Sequence, residues 1–441
     1  MVGFKAEKEL FVSGLDGTSP AEILLLVAVL PLGSLCFVQR NTSPWILEVI
    51  ALLLPLILTQ TIWLYPWGLV YLLLMTLYGG ISLLLPRPSS SSSPPQQQQQ
   101  QQHSRTTMTL YRAGLLWMTC IAILAVDFHL FPRRYAKTEL YGYSLMDSGA
   151  ASFVVAAGWM GGKHNKQQQR SFPWRRWIPL IVLGSLRFWT HQELEYQEHV
   201  TEYGLQWNFF ATLAVVTSFV ALVPPTHDWK PPVAALALYQ IALSMAGLQE
   251  WIEDAPRTCG RGGLFCNFFV ANREGILGCI GYLSTYYVCS WIAHMWYWST
   301  DVCPERNLWK VTAALFMLWR ILVAVGVTVS RRSTNAAFCV WVLFLNVAQI
   351  SAIRTAVSWS SHSTPPPILA AINSNGLLTF VIANLLTGAV NLSMDTFHAS
   401  NAVAIGVLVA YMIAVSVVAL LLNLIKHRLR GSPEKAKHHD Q

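Results

Sequence analysis

Apolar runs of roughly 20 residues recur from one end of this chain to the other, separated by short polar loops, and each is long enough to cross a bilayer as a helix. None shows the strict alternation of a barrel strand, so the backbone groups inside lipid must be satisfied helically. Hydropathy places spans at 22–38, 45–62, 66–86, 108–128, 147–162, 176–190, 206–223, 232–249, 274–296, 308–329, 335–352, 371–391 and 401–425. The expected fold is an all-α polytopic membrane protein with about 13 transmembrane helices. Three spans follow an N-terminal tail within 1–85, a catalytic bundle fills 108–425, and a basic tail occupies 426–441. Between the first two regions, 86–107 carries a serine run, prolines and consecutive glutamines, a composition that predicts a disordered linker.

Composition agrees with the pattern. Of 441 residues, 54% are hydrophobic, 18 are Trp and only 12% are charged. No cleavable leader is evident in the polar first 20 residues, so the first span is expected to stay in place. The net charge of +8 lies in short loops between spans, which removes any need for a nucleic-acid partner. The eight Cys contain no C-x-x-C pair, against a zinc or thioredoxin-type centre, and no metal is expected. An odd number of spans puts the termini on opposite sides. Placing the basic C-terminal tail in the cytosol puts more Lys and Arg there, as the positive-inside bias requires, and sets the N-terminus in the lumen.

One loop breaks that bias. Ala125–Gly149 reads A-V-D-F-H-L-F-P-R-R-Y-A-K-T-E-L-Y-G-Y-S-L-M-D-S-G and holds Asp127, Arg133, Arg134, Lys137, Glu139 and Asp147 on the luminal side. Charges at the mouth of a span are costly unless paired or facing a water-filled cavity, which makes this loop the candidate active site. An interfacial anchor, with basic side chains snorkelling to headgroups, accounts for the charge alone equally well. A second luminal stretch, H-Q-E-L-E-Y-Q-E-H-V-T-E-Y-G, contains His199 and Glu202 and runs on to Trp207 and Asn208. It reads as a polar wall for a sugar or inositol, or as a solvated acidic loop. Asn384 and Asn391 are seven apart and share a helix face, to line a polar cavity or to join helices by hydrogen bonds. Cys259 and Cys266 fall in a luminal loop, where an oxidising compartment would allow them to bridge.

The string F-P-R-R-Y-A-K-T-E-L-Y-G-Y-S-L-M-D-S-G-A-A-S-F-V resembles the signature of the GPI-anchor inositol acyltransferases, the wall transfer proteins of fungi and PIG-W of animals. The likeness extends to L-E-Y-Q-E-H-V-T-E-Y-G-L-Q-W-N-F-F, A-N-R-E-G-I, S-R-R at Ser330–Arg332, N-L-L-T-G-A-V-N-L-S and F-V-S-G-L-D-G-T-S-P-A-E-I. The resemblance implies an endoplasmic-reticulum enzyme that moves a fatty acyl chain, typically palmitoyl, from acyl-CoA to the inositol of glucosaminyl-phosphatidylinositol. Acyl-CoA would be a co-substrate, and no cofactor is expected. The linker and loop lengths look fungal.

That chemistry needs a base for the hydroxyl proton, donors for the oxyanion and an acceptor held in line. Asp127, at a span end, is the expected base, and Lys137 would orient it or stabilise the oxyanion. Arg133 and Arg134 suit a phosphate, which arginine grips through two parallel hydrogen bonds. Asp147, His199, Glu202, Trp207, Asn208 and Asn384 are the expected substrate contacts. His199 is the alternative base. The competing function classes are a lipid transporter or scramblase and a non-catalytic subunit of a GPI-processing complex.

Overall fold

A computed structural model of the chain describes residues 11, 14–38, 45–61, 96–163, 172–190, 203–226, 228–259, 263–298, 304–359 and 364–431. The described backbone is helical. The only β pairing among these residues is an isolated bridge, Thr18 to Tyr143. In chain order the helices are α1 (Pro20–Val38), α2 (the run Trp45–Glu48, Val49–Leu53 in π form and Leu54–Thr59) and α3 (Gln96–Ala125). Then come α4 (Leu145–Gly161), α5 (Trp174–Thr190), α6 (Phe209–Leu222), α7 (Lys230–Met245), α8 (Leu248–Asp254) and α9 (Leu264–Ala271). The last six are α10 (Arg273–Ala293), α11 (Pro304–Ala324), α12 (Ala336–Ser358), α13 (Pro367–Ser374), α14 (Gly376–Ser393) and α15 (Asn401–Gly431).

Every expected span except 66–86, which lies outside the described residues, falls on one of these helices or on a helix run. Six of the helices are long and apolar enough to cross a membrane. The bent pair α7 and α8, turned by 69° at its break, makes a seventh if taken as one broken span. Other expected spans fall on shorter apolar helices, at Pro20–Leu35, Val49–Thr59 and Phe209–Leu222, and on α4 and α5 at 17 residues each.

The linker expected over 86–107 is corrected in its second half. α3 begins at Gln96, and His103, Ser104, Thr106 and Thr107 on its first turns are buried. Glutamine is a good helix former, and Pro94-Pro95 directly before it supplies a helix start. Residues 86–95 lie outside the described residues.

The chain forms two compact units. The first holds Met1–Pro20 and Ala136–Ala348, the second Ala21–Tyr135 and Gln349–Gln441. The first unit is organised by α10, which packs along α4. Gly158 permits their closest approach, because a Cβ there would stand 2.6 Å from the Tyr286 carbonyl. The N-terminal residues Gly14–Thr18 form a strap in this unit. The Gly14 amide donates to Glu139 (2.6 Å), the Glu139 amide to the Leu15 carbonyl (3.1 Å) and the Thr18 amide to the Tyr143 carbonyl (2.7 Å).

A turn at Ser330–Asn335 lies against α10. Thr334 is there in the left-handed region at φ 49°, which a β-branched residue rarely adopts. Gly278 and Gly281 leave the room it needs, since a Cβ on Gly281 would strike the Thr334 carbonyl. We expect Gly281→Ala to lower stability by about 1–3 kcal/mol, because rigid backbone stands in the way. A fall in the midpoint of thermal unfolding of the purified protein checks this.

In the second unit, α3 packs with α13, α14 and α15. The buried Glu48 carboxylate accepts the Ile368 and Leu369 amides at 3.1–3.2 Å, capping α13 from a distant helix. Buried Arg354 on α12 donates to Ser104 (3.0 Å) and to the Gln100 carbonyl (3.3 Å).

Candidate functional site

The Ala125–Gly149 loop is divided between the units. Asp127, Arg133 and Arg134 belong to the second, Lys137 and Asp147 to the first.

In the second unit, α3 ends at Ala125 and the chain turns through Asp127, whose amide bonds the Leu124 carbonyl. The Asp127 carboxylate is half-buried. Its Oδ2 accepts a 2.8 Å hydrogen bond from Asn391 Nδ2, on the last turn of α14. Arg133 folds back over the same turn. It donates to the Val126 carbonyl at 2.7 Å and to those of Phe131 and Phe128 at 3.3 and 3.5 Å. Burial lowers its guanidinium to about 10, while the charge of Asp127 acts the other way.

Arg134 makes a forked pair with Glu22 at 3.0–3.1 Å, and Tyr135 donates to the same carboxylate at 2.6 Å. Burial works against the Arg134 charge, but Glu22 outweighs it and holds the guanidinium above its ordinary value. A phosphate role is expected of both arginines; in the structure Arg133 donates to the loop's own carbonyls and Arg134 to Glu22.

Beyond α14, the loop Met394–Ser400 carries groups the sequence reading passed over. Asp395 accepts the amides of Phe397 and His398 and pairs with His398 Nδ1 at 2.7 Å. These contacts, led by the His398 bond, hold the Asp395 carboxyl below its ordinary range. The Phe397 ring stands 4.4 Å from that of His129. Burial, then the charges of Arg133 and His398, keep His129 below its usual value.

In the first unit the motif residues converge on buried ion pairs. Ser144 caps α4 by accepting the Asp147 amide at 3.0 Å, which sets Asp147 in the first turn. Asp147 Oδ2 takes the Thr138 amide (3.0 Å) and hydroxyl (2.7 Å), and Oδ1 meets Arg331 Nε at 2.6 Å. Asp147 is 2% exposed and Arg331 5%. Arg331 also lies over the Tyr203 ring at 5.2 Å. Asp147, expected to contact substrate, is here enclosed and bonded within the fold.

Glu274 is the second buried anion. It meets Arg257 at 2.7 Å and Arg332 at 3.2 Å. Arg273 and Arg332 also gather the carbonyls where α8 ends: Arg273 donates to Ile252, Ala255 and Pro256, and Arg332 to Ile252 and Glu253. Helix ends leave such carbonyls without partners, and cations suit them. Cys259 and Cys266 are bridged, with Cα atoms 6.0 Å apart, and the Cys259 amide donates to Asn267. The bridge closes the segment just beyond Arg257.

Trp207 and Asn208 also serve the fold. The Trp207 amide donates to Asn272 Oδ1 (2.9 Å), and its indole donates to Thr212 (2.9 Å). Asn208 caps α6 through the Ala211 amide and donates to the Gly184 carbonyl. Asn384 is exposed on α14 and donates to the Phe380 carbonyl of its own helix. His199 and Glu202 lie outside the described residues. No group of three or more metal-ligating side chains occurs among the described residues.

A protein-family model, GWT1, matches residues 4–422. The chain belongs to the GWT1 family. It is 31% identical to the GPI-anchored wall transfer protein 1 of Gibberella zeae, over 95% of this chain and 97% of that one. The protein of the same name from Eremothecium gossypii is 33% identical, over 96% and 98% of the two chains. That from Schizosaccharomyces pombe is 35% identical, over 71% of each. Within the first unit, S-R-R supplies both buried anions with a cation: Arg331 meets Asp147 of the Thr138–Asp147 stretch, and Arg332 meets Glu274 of A-N-R-E-G.

Proposed function

We infer that this family member transfers a fatty acyl chain, palmitoyl in the usual case, from acyl-CoA to an inositol hydroxyl of glucosaminyl-phosphatidylinositol. The observation that carries the reading is the half-buried Asp127 carboxylate, held by an amide at the end of an apolar helix, in a chain of this family. Asp127 takes the hydroxyl proton as the inositol oxygen attacks the thioester carbonyl. The tetrahedral oxyanion then collapses and expels the CoA thiolate, which ends as the free thiol when the proton reaches it. No acyl-enzyme is needed, and no metal enters the scheme.

We place the protein in the endoplasmic-reticulum membrane with Ala125–Gly149 toward the lumen, the N-terminus luminal and the C-terminus cytosolic. The distribution of Lys and Arg and the Cys259–Cys266 bridge support that orientation, since disulfides persist in oxidising compartments. The test is acyl transfer by the purified protein from labelled palmitoyl-CoA to glucosaminyl-phosphatidylinositol. Labelled lipid that needs both substrates is the expected result. No transfer with both present would return the protein to a lipid transporter or a subunit of a GPI-processing complex.

A further inference from the structure

Asn391 has an amide with one end committed and the other open. A carboxylate only accepts, so the end of Asn391 that faces Asp127 is its N–H group, and the assignment of nitrogen and oxygen is fixed. The carbonyl oxygen Oδ1 is then turned away from Asp127. It is buried and has no hydrogen-bond partner in the structure. A buried amide oxygen left without a donor is costly, and such a group calls for a missing partner. That partner must be a donor, and it must come within reach of a side chain that touches the candidate base.

A cyclitol ring carries hydroxyls on neighbouring carbons. Asp127 and Asn391 Oδ1 are two acceptors joined through one amide, one able to take a proton outright and one able only to accept a hydrogen bond. We propose that Asn391 is an acceptor-positioning residue: its Oδ1 binds the ring hydroxyl next to the one acylated, while its Nδ2 holds Asp127 Oδ2. This rests on the acyl-transfer reading above and makes the preferred acceptor a vicinal diol. The last turn of α14 is well placed for the task. Four residues on, Asp395 braces the following loop through the amides of Phe397 and His398. Phe397 in turn packs on His129, two residues after the base.

The experiment uses the full-length purified protein, glucosaminyl-phosphatidylinositol and an analogue that lacks the hydroxyl next to the acylated one. Wild type should show KM for the analogue about tenfold above that for the natural acceptor, the loss expected of one buried hydrogen bond. Asn391→Ala should raise KM for the natural acceptor by a similar factor and leave KM for palmitoyl-CoA within about twofold. On that variant the missing hydroxyl should cost nothing further. Wild type that handles both acceptors alike overturns the proposal without any variant being made. A variant that loses thermal stability while keeping the acceptor KM, or that still discriminates between the two acceptors, also overturns it. Asp127→Asn is run beside them. Full activity in Asp127→Asn would remove the base from the reading, whereas the acceptor comparison reports on Asn391 by itself.

Discussion

Asp127→Asn lowers acyl transfer by about 10²- to 10⁴-fold, the range a positioned general base contributes. The substitution keeps the side chain's volume, and the new amide oxygen can still accept the Asn391 N–H that now bonds Oδ2 at 2.8 Å. The fold should therefore persist while the proton acceptor is lost. Single-turnover transfer from labelled palmitoyl-CoA, read beside a thermal unfolding curve, separates the two. A silent protein with an unchanged curve is the expected pair of results. Activity surviving in this variant would shift the base to His199.

The second large effect is on stability. Arg331→Met leaves Asp147 charged, 2% exposed and with its Oδ1 facing an apolar side chain. Breaking a buried pair from one side costs about 3–5 kcal/mol, because the remaining charge keeps its desolvation penalty and loses its compensation. Asp147→Leu should be as damaging, since it strands Arg331 and also removes the acceptor for Thr138. The double replacement Asp147→Leu with Arg331→Met should cost less than the sum of the two. Unfolding midpoints for the four proteins form the cycle that checks it. Additive losses would mean that the two groups do not depend on each other.

The spans were readable because lipid enforces them. A run apolar enough to cross hydrocarbon has few other ways to fold, and α3, α10, α12 and α15 fall where hydropathy placed them. The glutamine run misled because its composition resembles a linker, whereas a helix that continues into an apolar span can carry it. Asp147 and Asn208 carry a second signal. A polar side chain just before or within the first turn of an apolar run is a helix-start signal. Read that way, Asn208 is the cap of α6 and Asp147 belongs to the first turn of α4 behind the Ser144 cap, as the structure has them.

Pairings between distant residues were out of reach. Arg134 with Glu22 is a contact of sequence separation 112, and nothing local to either residue names the other. The same holds for Asn391 and Asp127, at separation 264. The cysteine pair was legible because a sequence separation of seven keeps the two residues close along the chain.

Those separations also set an order of assembly. A chain made from its N-terminus brings out Glu22 and then Arg134, so the clamp on the turn is available early. The strap from Gly14 to Glu139 closes within the same third of synthesis. Asn391 emerges only after most of the helices have been made. Until then Asp127 lacks the amide that will hold it. The turn is thus shaped first, and its carboxylate is locked last, when the bundle around it is nearly complete.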